Sequence, residues 1–229
     1  MSNIVILTGA GISQESGIKT FRASDGLWEE HRIEDVATPQ AFARDPALVH
    51  RFYNARRRQL FSGDVHDNAA HRALAELQKH HRGHVTLITQ NIDDLHERAG
   101  STPIHMHGEL NKLFCLACQG SVTTTQDCFP DTPCPHCRQT GSLRPDIVWF
   151  GEMPYHMDII ESALREADIF VAIGTSGQVY PAAGFVQLAK QSGARTVEIN
   201  LEATGTRFDI GHYGKATIEV PRFVQAVLA

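Results

Sequence analysis

Four short apolar runs constrain this chain more than anything else in it. "NIVILTGAG" (3–11), "HVTLITQNID" (84–93), "DIFVAIGTS" (168–176) and "RTVEINLE" (195–202) each hold four to six Val- and Ile-rich residues and end in small polar ones. None alternates strictly between apolar and polar, so neither face is suited to water. That is the pattern of strands buried on both sides of a parallel sheet. Amphipathic stretches at 68–81, 157–167 and 182–193 lie between the runs. The alternation predicts an α/β fold built on a doubly wound parallel sheet. "KATIEVP" (215–221) reads as a last strand leading into "RFVQAVLA".

Two segments break the rhythm. Residues 33–63 form a helical insert, and residues 112–143 lack apolar periodicity while holding all five cysteines. They are expected to form a smaller domain by insertion, leaving 1–32, 64–111 and 144–229 to the sheet. A net charge of −5 makes nucleic acid an unexpected partner. No apolar run approaches the ~20 residues that span a bilayer, so no membrane partner is expected. The opening "MSNIVILTGAG" has no basic-then-apolar leader. A cytoplasmic location is the expectation; the oligomeric state is open, with a monomer compatible.

In open parallel sheets, ligands bind beyond the carboxyl ends of the strands. Here those ends carry GAG, TQNID, GTS and NLE. Gly9 and Gly11 would let backbone approach a phosphate, with a following helix N-terminus offering free N–H groups. Thr175 and Ser176 add hydroxyls, and Asn200 and Glu202 could bind ribose or base edges. The dinucleotide fingerprint G-x-G-x-x-G fails at Gln14, and no acidic residue ends a second strand at the usual spacing. One Gly pair alone would mean only a tight turn. Four polar strand ends together favour a nucleotide cofactor.

Cys115-x-x-Cys118 and Cys134-x-x-Cys137, fifteen residues apart, have the spacing of a four-thiolate structural zinc site. Disulfides are the lesser alternative in a chain without a leader. His136 is expected to be a bystander, and Cys128 a loop thiol without a role. Among thirteen histidines, His105 and His107 in "PIHMHGEL" stand out. In an extended stretch they would share one strand face, as solvated imidazoles, as a catalytic metal pair for which the chain offers no obvious third ligand, or with one as a general base. Spacing alone does not choose between them. In "RFYNARRRQL" (51–60), Tyr53 and Arg56 lie three apart on one helix face, either solvated or reading an anion. Arg57 and Arg58 are expected to face solvent.

Taken in order along nearly the whole chain, "GAGIS", "SGIKTFR", "TQNID", "HMHGE", the CxxC pairs, "RPDIVWFGE", "GTS" and "INLE" resemble the sirtuins. These are NAD-dependent protein-lysine deacylases, and the likeness is to the bacterial CobB-type members grouped in class III. The resemblance implies a Rossmann-like domain with a small zinc domain. It implies that Gly9, Ala10, Gly11, Ser13, Thr20, Phe21, Arg22 and Trp28 wrap the NAD diphosphate and nicotinamide ribose. Gln90, Asn91, Ile92 and Asp93 would line the nicotinamide pocket. Gly174, Thr175, Ser176, Asn200, Leu201, Glu202 and the backbone near Ala216 would take the adenosine side. His107 matches the family's catalytic histidine, with Asn91 and Asp93 beside it.

An acyl-lysine peptide would add as a β-strand along Val148, Phe150, Gly151 and Glu152. Tyr53 and Arg56 match the class III pair that recognises acyl groups ending in a carboxylate, and Ala37 the small residue at the acyl channel. The implied reaction removes succinyl, malonyl and acetyl groups, consumes NAD and yields free lysine, nicotinamide and 2′-O-acyl-ADP-ribose. Alternatives are mono-ADP-ribosyl transfer to protein, or an acyl-lysine or nucleotide-binding module without catalysis.

Overall fold

The protein is described here from a computed structural model over residues 2–18, 27, 28 and 31–229. The first apolar run forms β1 (Ile4–Thr8), buried at all five positions. An antiparallel pair, β2 (Leu27–Trp28) and β3 (His31–Arg32), precedes the helices α1 (Ile33–Val36), α2 (Pro39–Arg44) and α3 (Pro46–Leu60). Then come α4 (Ala69–His80), β4 (Val85–Thr89), α5 (Leu95–Arg98) and β5 (Ile104–His105). Antiparallel strands β6 (Gly108–Cys115), β7 (Ser121–Thr123) and β8 (Leu143–Ile147) follow. The chain ends with α6 (Met157–Arg165), β9 (Ile169–Ile173), α7 (Phe185–Gln191), β10 (Arg195–Asn200), β11 (Ile210–Tyr213) and α8 (Ala216–Leu228).

The main sheet runs β11-β10-β9-β1-β4-β5 and is parallel throughout. The chain leaves β1 toward β4 and β5, then returns to the other side for β9, β10 and β11. That is the Rossmann strand order, and its switch point lies beside β1. Successive residues of β1 serve opposite faces. Ile4 and Ile6 pack with Leu74 and Leu77 of α4 and with Val220 and Val224 of α8. Val5 and Leu7 pack with Ile160 and Leu164 of α6 and Phe185 of α7. With both faces covered, the run has no reason to alternate. Each such buried side chain contributes roughly 1.5–3 kcal/mol.

The last expected strand is instead a helix. "KATIEVP" enters α8, and the sixth strand is the short, half-exposed β11. Val220 and Val224, four apart, form a helical stripe with Phe223 and Val227 against the α4 side of the sheet. Burial of that stripe overrides the β-preference of the Thr-Ile-Glu-Val sequence, even with Pro221 inside the helix. A second departure follows β1, where two 3₁₀ turns, Ala10–Ile12 and Gln14–Ser16, stand in place of the expected α-helix.

The helical insert is punctuated by cap-and-proline pairs. Thr38 accepts from the Ala41 N–H ahead of Pro39, and Asp45 from the Leu48 N–H ahead of Pro46. Its apolar face, including Val36, Val49, Phe52 and Tyr53, packs on Leu110, Ile147 and Trp149. No helix among the described residues is long and apolar enough to cross a membrane.

The ends of β1 and β9 meet through glycines. A Cβ on Gly9 would lie 2.8 Å from the Gly174 carbonyl oxygen, and one on Gly11 2.7 Å from the Gly174 Cα. Gly174 itself has φ +60°, with the Ile12 nitrogen 2.5 Å from where its Cβ would be. Gly174→Ala therefore meets both backbone strain and a clash with main chain that has nowhere to go. The expected outcome is a loss of about 1–3 kcal/mol in stability, seen as a lower Tm or insoluble protein. A wild-type Tm would contradict the close contact.

Candidate active site

Beyond the carboxyl ends of β1, β4, β9 and β10 lies a cavity of about 470 Å³. Gly9, Ala10 and Gly11 line it after β1, Gln90, Asn91, Ile92 and Asp93 after β4, Gly174, Thr175 and Ser176 after β9, and Asn200 at the end of β10. Trp28 and His107 also face it. The opposite wall holds Ala37, Tyr53 and Arg56 from the helical insert and Val148, Phe150, Gly151 and Glu152 after β8. Thus both groups of expected residues, for a nucleotide and for an acyl-peptide, share one cavity.

Some expected residues sit elsewhere. Leu201 and Glu202 are exposed and outside the lining, and Ala216 packs against the sheet core at the start of α8. Thr20, Phe21 and Arg22 lie outside the described residues. Ser13 is fully buried behind the wall, not in it. Gln14, whose side chain breaks the glycine fingerprint, lines the cavity instead.

Ser13 ties the polar groups together. Its hydroxyl donates to Asp93 Oδ2 at 3.0 Å and accepts from Asn91 Nδ2 at 3.1 Å. Burial pushes the Asp93 carboxyl up to about 6, against the bonds from the Leu95 N–H and the Ser13 hydroxyl that hold it down. Below this layer are two buried histidines that sequence reading missed. His71 Nε2 is 3.4 Å from Ser13 Oγ, and its Nδ1 accepts from the Asn68 N–H. His96 Nε2 is 3.0 Å from Thr8 Oγ1, and the two rings meet edge-on at 4.9 Å. Their helical context gave no signal; only the fold turns them inward.

His105 and His107 do not share a strand face. β5 ends at His105, the chain turns, and β6 begins at Gly108. Gly108 has φ +80°, and a Cβ there would overlap the Asp146 carbonyl, so the turn requires glycine. The two rings consequently point to different surroundings. His105 Nδ1 faces the Asn91 carbonyl at 3.2 Å and Nε2 the Glu97 carboxylate at 2.6 Å. Both partners only accept, so both ring nitrogens carry protons. Burial lowers the His105 pKa, but the Glu97 hydrogen bond and charge outweigh it and the net shift is upward. His107 Nδ1 donates to the Gln90 carbonyl at 3.0 Å, which leaves Nε2 with its lone pair. Burial lowers its pKa, with the Gln90 bond only partly offsetting this. Of the pair, His107 alone can accept a proton near neutral pH.

At the far wall, Tyr53 is fully buried and its hydroxyl accepts from the Trp149 indole N–H at 2.9 Å. Burial raises the phenol's pKa, so it stays protonated and has its own proton to give. Arg56 stacks 3.8 Å over the Phe52 ring and donates to the Phe52 carbonyl. Trp149, absent from the expected set, lies between Tyr53 and Arg144, whose guanidinium is 3.5 Å from its ring and pairs with Glu152. Arg58 is exposed as expected, near Asp127. Arg57 is not: it is 1% exposed and bonds the Leu110 carbonyl, the Gln126 carbonyl and Asn54 Oδ1. A single helix face cannot hold three consecutive arginines, and the middle one turns inward.

The four cysteines form one cluster, with all Sγ atoms within 4.8 Å of one another. Cys115 and Cys137, and Cys118 and Cys134, are 3.8 Å apart. A tetrahedron with metal–sulfur bonds of ~2.3 Å has edges of about 3.8 Å, so the geometry fits zinc, and disulfides are absent. The two CxxC turns are copies: Gln119 and Arg138 both take positive φ, and their N–H groups bond Cys115 and Cys134 carbonyls. His136 is exposed and outside the cluster. Cys128 is not a loose loop thiol, since it is 1% exposed and packs with Leu113 and Leu143.

A family model described as Sir2 family matches residues 9–181. The chain belongs to the Sir2 family. The NAD-dependent protein deacylase of Bdellovibrio bacteriovorus is 58% identical over 229 residues, covering 99% of this chain and 97% of that one. That of Vibrio cholerae is 58% identical over 230 residues, covering 99% and 94%. The crystal structure of a Sir2 homolog–NAD complex matches with a TM-score of 0.88 at 40% identity, covering 99% of this chain and 90% of that one. The resemblance drawn from the sequence motifs is thus borne out.

Two outcomes follow for this Sir2-family chain. Chelation, or Cys137→Ser, is expected to release bound zinc and lower the Tm, read by elemental analysis alongside a thermal melt. Full stability without metal would contradict a structural site. The second concerns acid. His50 and His71 are lowered by burial from 6.5 to about 4. The unfolded chain takes up these protons from about pH 6.5, the folded chain only near 4. Stability is complete above 6.5 and falls as the pH drops, by up to about 3 kcal/mol per histidine. Asp93 works in the opposite sense, stabilising the fold below its unfolded value and less so as pH rises through about 6. The two histidines outweigh it, so the Tm is expected to fall steadily from pH 6.5 to 4.5. A flat profile would contradict their neutral burial.

Proposed function

We propose that this protein is an NAD-dependent protein-lysine deacylase that removes succinyl and malonyl groups as well as acetyl. The observation that carries the reading is the shared cavity: Tyr53 and Arg56 face the same space as His107, Asn91 and Asp93. The relatives named as NAD-dependent protein deacylases support the NAD and acyl-protein part. NAD, when bound, supplies the ribose carbon from which nicotinamide leaves. The strand ends of β1, β4, β9 and β10 would hold it, on the floor that Gly9, Gly11 and Gly174 close by their mutual contact, with Asn200 turned toward the β9 loop by a bond to the Thr175 carbonyl.

Asn91 and Asp93, held by Ser13, present a fixed polar surface where positive charge develops, with no reorganisation needed. With NAD bound, His107 Nε2 would be placed to take the proton of a ribose hydroxyl, the group that is to accept the acyl. Peptide backbone lies along Val148 to Glu152. The acyl chain passes Ala37, and a terminal carboxylate meets the Tyr53 hydroxyl and the Arg56 guanidinium. A neutral acetyl group does not reach them. Transfer of ADP-ribose to protein would use the same cofactor pocket but would leave Ala37, Tyr53 and Arg56 without a task.

The same reading treats 33–63 and 112–143 as one smaller domain held by zinc on Cys115, Cys118, Cys134 and Cys137. A cytoplasmic location, which keeps thiolates reduced, agrees with it.

The test is one peptide carrying acetyl-, succinyl- or malonyl-lysine in turn, assayed for nicotinamide release. All three are expected to react, and His107→Ala to abolish each. Charge-assisted bonds at a desolvated site contribute about 1.5–3 kcal/mol each. Arg56→Met should therefore lower the succinyl-to-acetyl ratio of kcat/KM about 10- to 100-fold. A wild-type ratio in that variant would remove the carboxylate-reading role.

A further inference from the structure

We infer that Arg57 is a positioning residue that sets the acyl selectivity of this site. The inference rests on the reading of Tyr53 and Arg56 as carboxylate readers. Arg57 touches neither substrate nor cavity. It is 1% exposed, and its guanidinium ties its own helix to two separate pieces of chain. Nε donates to the Leu110 carbonyl at 2.9 Å, and Nη1 to Asn54 Oδ1 at 2.9 Å and to the Gln126 carbonyl at 3.3 Å. Asn54 extends the clamp, bonding both the N–H and the carbonyl of Cys128.

This is a poor arrangement for stability alone. Burial lowers the Arg57 pKa despite the opposing charge of nearby Asp127, its bonded partners are neutral oxygens, and Nη2 is buried without a partner. A buried charge so paired costs desolvation that uncharged acceptors only partly repay. What it does supply is geometry, because a planar fork fixes several acceptors relative to one another.

The positions it fixes matter. Arg57 follows Tyr53 by four residues on α3, so the two lie on one stripe of the helix. Leu110 lines the acyl end of the cavity, and its N–H donates to the Ile92 carbonyl at 2.8 Å. Ile92 sits between Asn91 and Asp93. Two hydrogen bonds thus connect the helix that carries the readers to the loop that carries the chemistry. The distance between those two parts decides which acyl length puts its carboxylate at Tyr53 and Arg56 while its carbonyl is at the reaction centre. Displacement by about 1 Å can cost on the order of 100-fold.

The experiment measures kcat and KM for acetyl- and succinyl-lysine versions of one peptide, with the Tm and zinc content of each variant. Arg57→Met is expected to lower the succinyl-to-acetyl ratio of kcat/KM about tenfold, with the loss mainly in the succinyl reaction. Arg57→Lys keeps the charge but cannot hold Leu110 and Gln126 together, so an intermediate ratio is expected, and it serves if the Met variant does not fold. Arg56→Met, run in parallel, separates the two claims. If it loses the ratio while both Arg57 variants keep the wild-type ratio, this inference is wrong and the carboxylate reading stands. A parallel fall of both reactions in the Arg57 variants, tracking the Tm, would reduce Arg57 to a structural residue and also overturn the inference. An unchanged ratio in Arg56→Met, or a wild type active only on acetyl-lysine, would overturn the reading and this inference with it.

Discussion

The contact between the ends of β1 and β9 is what the site depends on. Side chains at Gly9, Gly11 or Gly174 would drive the loops apart, since each missing Cβ points at main chain of the other loop. Without them the two loops close into one floor, with the Gly11 N–H bonded to the Gly174 carbonyl at 2.8 Å. The Rossmann strand order puts this floor at the switch point, where the crevice opens by topology alone. The departure from the usual fingerprint is local. Two 3₁₀ turns replace the first helix, and the third-glycine position is occupied by Gln14, a side chain that faces the cavity.

Above that floor, burial assigns chemical roles to residues of one type. Two histidines two apart in sequence become an imidazolium and a free base, because one meets a carboxylate and the other only a carbonyl. Two more, His71 and His96, are pressed together in neutral form behind Ser13, where their own charges would repel. Ser13 is held from that side and holds Asn91 and Asp93 from the other. The polar wall is thus rigid before any ligand arrives, which is what electrostatic stabilisation of a developing charge requires.

The sheet was legible in the sequence because both-face burial leaves an unambiguous mark, namely apolar runs that do not alternate. The cysteine cluster was legible because metal geometry dictates spacing. What was not legible depends on tertiary packing. "KATIEVP" has strand composition, but the groove beside α4 needs a stripe at helical spacing. Arg57 has the look of a surface cation within "RRR", yet two carbonyls from distant chain segments and the Asn54 side chain of its own helix converge on it. Trp149 lay within a motif that marked its neighbours, but its bond to Tyr53 depends on β8 meeting α3. The turn that separates His105 from His107 rests on Gly108, whose need for a positive φ no composition reveals.

In the proposed function, choice of acyl group is separated from chemistry. The reaction centre stands on the sheet, on loops whose positions are set by glycines and a buried hydroxyl. The proposed acyl readers stand on the inserted helix α3 instead. Such a division lets the readers change without disturbing the base or the cofactor loops. It also carries a cost, since a reader on a separate element is useful only if its distance from the reaction centre is fixed. Apolar packing of Phe52, Tyr53 and Leu60 on Ile147 and Trp149 holds the helix down but is not directional. Directional bonds have to supply the register. They come from the Trp149–Tyr53 pair on one side and from Asn54 and Arg57 on the other, so a charged residue is buried where an apolar one would pack more cheaply.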